Sequence, residues 1–268
     1  MTYDSFGEPL TDTVTDGATN LYSVGYTRDN LGRITQKTET VNGTTTIWIY
    51  GYDQDGRLDA VTKNGLPVAS YGYDQNGNRV SVNAAMIASY DNQDRLITYG
   101  SNSYTYNANG ELLTKTNSSS TTSYTWDALG NLLGVKLPSS EDISYIYDGQ
   151  TRLVGKEVNG TPTEGFLYDG QLEPVAELDS SGNIVEQFVY GTRPNVPDYI
   201  IKGGVEYRVV SDQVGSPALI VNASTGAITE QIGYDAWGNV TSDSNPGFQP
   251  FRLVIRGSAS DTDVGAVR

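Results

Sequence analysis

The fold of this chain is decided by the stretch Tyr50-Gly51-Tyr52-Asp53-Gln54-Asp55-Gly56-Arg57-Leu58. In it an aromatic residue is followed by Asp, a two-residue gap, a glycine, a polar residue and an aliphatic residue. The phrase recurs at a spacing of about 20 residues, and such a period is the mark of an array built from one supersecondary unit. Its Asp or Asn falls at Asp53, Asp74, Asp91, Asn107, Asp127, Asp148 and Asp169.

Three positions of the phrase are expected to build the repeat. They are the aromatic residue, the Asp or Asn that follows it, and the glycine or arginine after the gap. A looser copy near the C-terminal end, Tyr234-Asp235-Ala236-Trp237-Gly238, has the same order. The expected repeat residues are Tyr52, Asp53, Gly56, Arg57, Tyr73, Asp74, Gly77, Tyr106, Asn107, Gly110, Trp126, Asp127, Gly130, Tyr147, Asp148, Tyr168, Asp169, Tyr234, Asp235 and Gly238.

Each repeat contains two turn signals. One is the gap between Asp and Gly, and the other is a pair such as Asn64-Gly65, because Asn and Gly tolerate the positive φ angles of tight hairpin turns. Between the turns, aromatic and β-branched residues recur at every second position, as at Ile143, Tyr145 and Tyr147, which is typical of strands. The sequence therefore predicts an all-β fold, a repeat array of antiparallel β-hairpins that forms a spiralling, curved β-sheet ribbon.

The predicted array covers residues 1–251. A break in its phase falls around residues 170–201, where the style of the repeat continues but its spacing does not. Residues 252–268 are expected to form a divergent C-terminal tail. Successive hairpins must pair edge to edge, because a single hairpin is only marginally stable in water. Unpaired outer edges then favour self-association of the chain.

Arginines near the turn glycine call for a physical reason. We expect each guanidinium to bridge to the turn carboxylate of its own or a neighbouring repeat, or to lie on a tyrosine ring. The alternative is an exposed arginine that contributes little to stability. The arginines concerned are Arg33, Arg57, Arg79, Arg95 and Arg152.

Composition excludes several classes of function. The chain has 268 residues, a net charge of −15, and neither His nor Cys. Disulfides, thiolate and imidazole metal sites, and Ser-His-Asp or Cys-His catalysis are therefore excluded. Nucleic acid is not an expected partner, because binding to phosphates needs an excess of Lys and Arg. No segment has the 18 apolar residues of a membrane span, and residues 1–7 lack the basic start and apolar run of a signal peptide.

No metal and no cofactor are expected. The loops 53–56 and 74–77 resemble half of an acidic calcium loop, but they lack the later ligands and the distal Glu of an EF-hand. Turn chemistry explains their Asp, Asn and Gly residues without a metal ion.

Two functions other than a structural one stay open. A carboxylate-based, glycosidase-like hydrolase needs two carboxylates about 5–10 Å apart, and its candidates are Glu173 and Glu177 in the phase break. A carbohydrate-binding surface would use rows of Tyr and Trp, with Trp48, Trp126 and Trp237 as platforms. The competing interpretation of these indoles is that they pack between sheet layers, because indole is mostly buried in proteins.

The phrase from Tyr50 to Leu58 resembles the YD repeat of Rhs proteins, relatives of insecticidal toxin-complex C components and of teneurins. Segments 210–217 and 234–251 resemble the end of that family's repeat region. The resemblance implies a hollow shell of spiralling β-sheet, secreted or at the cell surface, that encloses a toxic C-terminal domain. This chain would be a structural wall segment of such a shell and a fragment of a longer protein.

The family's self-cleavage motif, in which aspartates act, has no assignable counterpart in this sequence. Asp261 and Asp263 lie in a run rich in Ser, Asp and Gly, and no catalytic role is transferred to them. The implied partners are an enclosed toxin domain, a carbohydrate or a second copy of the chain.

Overall fold

The computed structural model describes residues 1–193 and 195–251 of the chain. Within these ranges the regular secondary structure consists of β-strands joined by turns, without an α-helix. The all-β prediction is therefore confirmed. No helix able to cross a membrane occurs in this part of the chain. The predicted tail at residues 252–268, with Asp261 and Asp263, lies outside the described residues.

The chain divides into two compact units, residues 1–100 and residues 101–268. The strands of the first unit are β1 (Thr2–Tyr3), β2 (Pro9–Asp16), β3 (Thr19–Arg28), β4 (Ile34–Val41), β5 (Thr44–Tyr52), β6 (Leu58–Lys63), β7 (Leu66–Tyr73), β8 (Arg79–Val82), β9 (Ala85–Met86), β10 (Ala88–Tyr90) and β11 (Leu96–Tyr99).

The strands of the second unit are β12 (Asn102–Tyr106), β13 (Leu112–Asn117), β14 (Ser120–Trp126), β15 (Leu132–Lys136), β16 (Asp142–Tyr147), β17 (Leu153–Val158), β18 (Thr161–Asp169), β19 (Glu173–Leu178), β20 (Ile184–Val189), β21 (Tyr199–Lys202), β22 (Val205–Ser211), β23 (Pro217–Asn222), β24 (Ile228–Tyr234) and β25 (Val240–Asp243).

Strand order follows chain order in both units. In the first unit β1 to β9 form one antiparallel sheet, and β10 and β11 form a hairpin. In the second unit each strand from β12 to β25 pairs antiparallel with the next one along the chain. Local hairpin pairing of this kind needs no long crossover, since two antiparallel strands can be joined by a short turn.

The YD hairpins share one register. Tyr52, the residue before the turn Asp, pairs with Leu58, and the ladder then shifts so that Gly51 pairs with Ala60. The extra residue is a β-bulge, which bends its strand and increases the local twist. The same shift accompanies the pairs Tyr73–Arg79, Tyr90–Leu96, Tyr106–Leu112, Trp126–Leu132, Tyr147–Leu153, Tyr168–Pro174 and Tyr234–Val240.

The two faces of the sheet in each unit differ in polarity. On β14, Tyr124 is buried while its neighbour Thr125 is exposed. Tyr124 packs with Leu112, Val135 and Ile143 in one buried cluster of the second unit. Because successive side chains of a strand point to opposite faces, the residues at every second position build this core face.

Substitution of Gly110 by Ala is expected to cost about 1–2 kcal/mol of unfolding free energy, because Gly110 has a φ of +89° and side-chain-bearing residues resist positive φ. A Cβ there would meet no atom within 4 Å, so the cost is one of backbone conformation alone. Urea unfolding followed by circular dichroism measures it.

The matched control is Gly149→Ala. Gly149 also has open space around its Cβ position, but its φ lies outside the positive range. The control is expected to leave the urea midpoint nearly unchanged. Equal midpoints for the two variants would contradict the role given to positive φ at the turn.

The hairpin turn as the candidate functional site

The carboxylate of the turn Asp closes the hairpin. In the first unit, Asp53 Oδ1 accepts hydrogen bonds from the backbone N–H groups of Asp55 and Arg57, at 3.0 and 2.9 Å. The backbone adds two more bonds, from Asp53 N to the Arg57 carbonyl and from Gly56 N to the Asp53 carbonyl. Gly56 has a φ of +84°, which explains why the phrase requires glycine there.

The same cap recurs along both units, with small changes in residue type. Where the glycine is missing, Asp94 and Thr151 adopt its positive φ, at 60° and 61°. The turns with this side-chain cap begin at Asp4, Asp29, Asp53, Asp74, Asp91, Asn107, Asp127, Asp148, Asp179, Asp212 and Asp235.

Asp169 differs from the other predicted turn residues because its side chain does not cap the turn. It keeps the hairpin register, because Tyr168 pairs with Pro174, but Asp169 itself ends β18 and pairs with Glu173. Among the described residues, its carboxylate forms none of the capping hydrogen bonds found in the other turns. The glycine here is Gly170, which directly follows the Asp, so the turn takes another form.

The fourth residue after the turn Asp returns a side-chain hydrogen bond to the carboxylate. Arg57 Nε donates to Asp53 Oδ2 at 2.7 Å, and Arg152 makes the same contact with Asp148. Arg33 and Arg95 repeat it with Asp29 and Asp91. Asparagine replaces arginine as the donor in other turns, namely Asn78, Asn131, Asn183 and Asn239.

One turn inverts the polarity of this pair. Asn107 takes the place of the Asp, and its amide Nδ2 donates to the carboxylate of Glu111. An amide cap has donors as well as an acceptor, so an acceptor in the fourth position satisfies it. The pairing of Asn with Glu here thus preserves the same contact with donor and acceptor exchanged.

These contacts favour the ionised carboxylate. The hydrogen bond from the Arg152 side chain is the main reason why the pKa of Asp148 lies below its ordinary value. The corresponding bond from Arg or Asn is the main cause of the lowered pKa at Asp29, Asp91, Asp127 and Asp179.

The guanidinium of Arg33, Arg57 and Arg152 also lies over the tyrosine of the next repeat. The Arg57 guanidinium carbon is 4.7 Å from the centroid of the Tyr73 ring, and Arg33 lies 4.5 Å from Tyr52. Arg57 Nη1 also reaches the backbone carbonyl of Asp74 at 3.4 Å. The two contacts expected of these arginines therefore occur together at Arg57.

In several repeats the tyrosine before the turn reaches back to the repeat before it. The Tyr73 hydroxyl donates to the carbonyl of Leu58 at 2.6 Å, and Leu58 is the fifth residue after the turn Asp of the preceding repeat. Periodicity alone did not reveal this contact, because it places rings on a face without fixing their partners. Equivalent donors and acceptors are Tyr52–Ile34, Tyr90–Arg79, Trp126–Leu112, Tyr168–Leu153, Tyr190–Pro174 and Tyr234–Pro217.

A second recurrent contact lies at the opposite, short turns. Asn64, at a φ of +50°, accepts the backbone N–H of Ile47 on its side-chain oxygen and donates its own N–H to the Ile47 carbonyl. Asn64 therefore adds one more hydrogen-bonded pair to the ladder between β5 and β6. Asn83 and Asn159 do the same with Ser70 and Asp142.

The hydrolase candidates lie on one strand but do not form a pair. Glu173 and Glu177 are four residues apart in β19, a distance of about 13 Å along an extended strand, which exceeds the spacing that glycosidases use. Glu177 instead lies opposite Glu186 of β20. The side chain of Glu186 has no exposed area, so no substrate reaches it.

The three tryptophans occupy different settings. Trp126 is half-buried, and its indole N–H is bonded to the Leu112 carbonyl at 2.7 Å. Trp48 is half-buried between Lys37 and Lys63, whose ammonium groups lie 6.0 and 4.8 Å from its ring. Trp237 is 37% exposed at a turn.

In the described ranges, no group of three or more Asp and Glu residues is placed to hold a metal ion. The turn carboxylates are bonded instead to the backbone amides and to Arg or Asn side chains, as described above for Asp53. This is the turn chemistry that the sequence predicts for the two acidic loops.

Capped hairpins whose tyrosines and arginines bind the adjacent repeat define a YD-repeat wall protein. The model of the Teneurin YD-shell family matches residues 1–268, and the chain belongs to that family. It is similar to teneurin-4 of Mus musculus, with 29% identity over 246 residues that cover 82% of this chain and 8% of that protein. It is also similar to teneurin-3 of Danio rerio, with 29% identity over 260 residues and coverage of 88% and 9%.

Among solved structures, the fold is similar to the crystal structure of TcdB2-TccC3-TEV, with a TM-score of 0.43 and 12% identity over 98% of this chain and 21% of that one. TcdB2-TccC3 without its hypervariable C-terminal region gives a TM-score of 0.41 and 12% identity over 94% and 21%. The chain thus spans less than a tenth of the two teneurins and about a fifth of the two solved chains.

Asp148 is expected to support stability above pH 4 and to lose this effect in acid. Its pKa is lowered in the folded state, so its contribution is present above the unfolded value of about 3.9 and disappears as pH falls through the folded value. Asp148→Asn should lower the urea midpoint at pH 7 and flatten its decline below pH 4.

The control for this titration is Asp169→Asn, since the Asp169 carboxylate caps no turn. It should retain the acid-dependent decline of the wild-type protein. A wild-type curve and an Asp148→Asn curve of the same shape between pH 2 and pH 5 would contradict the role of the cap.

Removal of one tyrosine hydroxyl is expected to weaken the contact between neighbouring repeats. Tyr73→Phe should cost about 1 kcal/mol of unfolding free energy, because the Leu58 carbonyl loses its hydrogen bond while the ring and its arginine contact remain. Tyr3→Phe, at a ring that is 58% exposed, is the control and should cost almost nothing. Equal stabilities in urea would refute a structural role for the hydroxyl.

Proposed function

We propose that this chain is a structural wall segment of a YD-repeat shell that encloses a polypeptide such as a toxin domain. The shell would act outside the cell or at its surface. The membership of the Teneurin YD-shell family supports the wall role. The enclosed polypeptide and the location are the parts that go beyond the family assignment.

The observation that carries the proposal is that the polar side chains of the phrase form hydrogen bonds within and between repeats. In several repeats the Asp closes the turn, an Arg or Asn binds the Asp, and the hydroxyl of a tyrosine binds the preceding repeat. For Asp53, Arg57 and Tyr73 these bonds are 2.6 to 3.0 Å long. The recurrent chemistry of the phrase therefore holds adjacent hairpins together.

A wall suits this arrangement for an energetic reason. In repeat arrays each unit contacts only its neighbours, so stability is a sum of similar nearest-neighbour terms. Such a sheet extends by adding repeats, and its extent is not limited by the size of one central core. The exposed face and the buried, apolar face of β14 support a layer with water on one side only.

Self-association through strand edges is a further part of the proposal. The outer strands β1 and β25 end the paired order of their sheets, and unpaired strand edges are templates for pairing with another chain. Both strands are short, with two and four residues, which limits the edge that each presents. A second copy of the chain is therefore a weaker partner than an enclosed polypeptide.

Protease protection in the full-length protein that contains this chain tests the enclosure. In the wild-type protein, trypsin digestion followed by mass spectrometry should leave one segment uncut. Trypsin should cut that segment after Tyr168→Ala, because the change removes the ring that contacts the preceding repeat. The control Met86→Ala, at a residue that is 73% exposed, should preserve protection. Absence of any protected segment in the wild-type protein would contradict enclosure but not the wall itself.

A further inference from the structure

The residues that follow β25 fold onto the core face of the second unit. This cover segment, residues 244–251, places Phe251 edge-on against Phe188 at a centroid distance of 4.6 Å. Phe248 packs in the same way against Tyr207 at 5.0 Å. The two rings close a buried cluster that includes Ile200 and Ile220, both without exposed area. The cover segment therefore shields an apolar surface of β20 to β23.

A row of charged residues leads from the neighbouring strands to this segment. Glu177 of β19 lies opposite Glu186 of β20, and Glu186 lies opposite Lys202 of β21. The Lys202 ammonium is 3.4 Å from Glu186 Oε2. The same ammonium donates to the backbone carbonyl of Phe248 and lies 5.0 Å from the Phe248 ring. Lys202 thus joins the carboxyl pair to the cover segment.

The buried carboxyl has little other support. Glu186 is 1% exposed, and within the described residues no hydrogen bond satisfies either of its carboxylate oxygens. Residues directly opposite in antiparallel strands have Cβ atoms about 4.5–5.5 Å apart, so Glu177 and Glu186 are close neighbours. A neighbouring carboxylate disfavours ionisation of the buried Glu186, which therefore keeps its proton to a higher pH.

Among the residues that the structure describes, the charges that act on Glu186 come from two elements. Glu177 acts from β19 and Lys202 from β21. The cover segment, which reads Ser-Asn-Pro-Gly-Phe-Gln-Pro-Phe, has no ionisable side chain. Glu173 is the other acidic residue of β19. Its charge, after burial, helps to raise the pKa of Tyr190. One Lys202 charge therefore balances one carboxylate of the pair and leaves a second one uncompensated.

We propose that Glu186, which lies between Glu177 and Lys202, is a proton-controlled latch for the cover segment. With Glu186 protonated, the Lys202 charge faces only the carboxylate of Glu177 and holds the Phe248 carbonyl, and the segment stays closed. When Glu186 ionises, the covered face contains an unbalanced negative charge. Opening of the segment admits water to that charge without breaking any strand pair. This device goes beyond the proposed wall role, and it adds a condition under which the wall opens.

The direction of the pH effect follows from burial. Burial, followed by the neighbouring Glu177, raises the pKa of Glu186 to about 8, while Lys202 opposes the shift. An exposed Glu has a pKa of about 4.3. Protonation therefore favours the closed state, and this preference is complete below the exposed value and is lost as pH rises to about 8. The latch closes in acid and loosens toward neutral and mildly alkaline pH.

Hydrogen–deuterium exchange of peptides that contain residues 244–251 measures the opening directly. After correction for the intrinsic exchange rate, protection in the wild-type protein should fall by up to about tenfold for each pH unit between pH 5 and pH 8. Above pH 8 it should level off. Wild-type protection that stays constant across this range overturns the proposal.

Glu186→Gln replaces the carboxyl by a neutral group of the same shape. Its segment should remain protected at pH 8 as firmly as the wild-type segment at pH 5. The control Glu206→Gln, at an exposed residue of β22, should keep the wild-type slope. A slope that persists in Glu186→Gln also overturns the proposal.

Two further variants cover the case in which Glu186→Gln does not fold. Glu177→Gln removes the neighbouring charge, so protection should be lost over a narrower range that ends below pH 8. Lys202→Met removes the bond to Phe248, so the segment should be more open at every pH. If exchange protection of residues 244–251 is the same in Glu177→Gln, Lys202→Met and the wild-type protein, the latch is rejected. The proposed wall role is unaffected by that result as long as the wild-type protein keeps its protease protection.

Discussion

The bond on which this structure depends is the one between the turn carboxylate and the backbone amides that follow it. A tight turn leaves N–H groups that the strand ladder does not use, and a single oxygen of Asp53 accepts two of them. The other oxygen then has a fixed direction, so the fourth residue of the turn can bind it with Arg or Asn. Once Arg57 is held in this way, its guanidinium lies over the Tyr73 ring of the next repeat.

Contacts between repeats therefore originate in contacts within one repeat. The tyrosine hydroxyl that bonds to the previous repeat is half-buried, and burial raises the pKa of Tyr73 and of Tyr168 above the ordinary value. The hydroxyls of Tyr73 and Tyr168 therefore stay protonated at ordinary pH, and each remains a hydrogen-bond donor. Many modest, similar bonds between repeats replace the large central core of other domains, which agrees with a chain that is 37% hydrophobic.

The last strands of the second unit follow another principle. From β20 onward the phrase weakens, and aliphatic residues such as Ile200 and Ile220 build a buried cluster beneath Phe248 and Phe251. Here the sequence places Glu186 in the apolar layer, where Lys202 is its cationic partner. The irregular end of the array is thus where a proton can change the structure.

Local chemistry made the turns and strands predictable from the sequence. Asp, Gly and Asn at fixed spacing determine the caps and the positive φ angles, and alternation determines which face Tyr124 and Val135 share, because both rules act within a few residues. Only the tertiary structure decided that the Tyr73 hydroxyl binds Leu58, that Asp179 caps a turn while Asp169 does not, and that Glu186 lies beneath the cover segment. Those outcomes depend on which strands become neighbours and how deeply they are covered, and the spacing of residues along the chain contains no measure of depth.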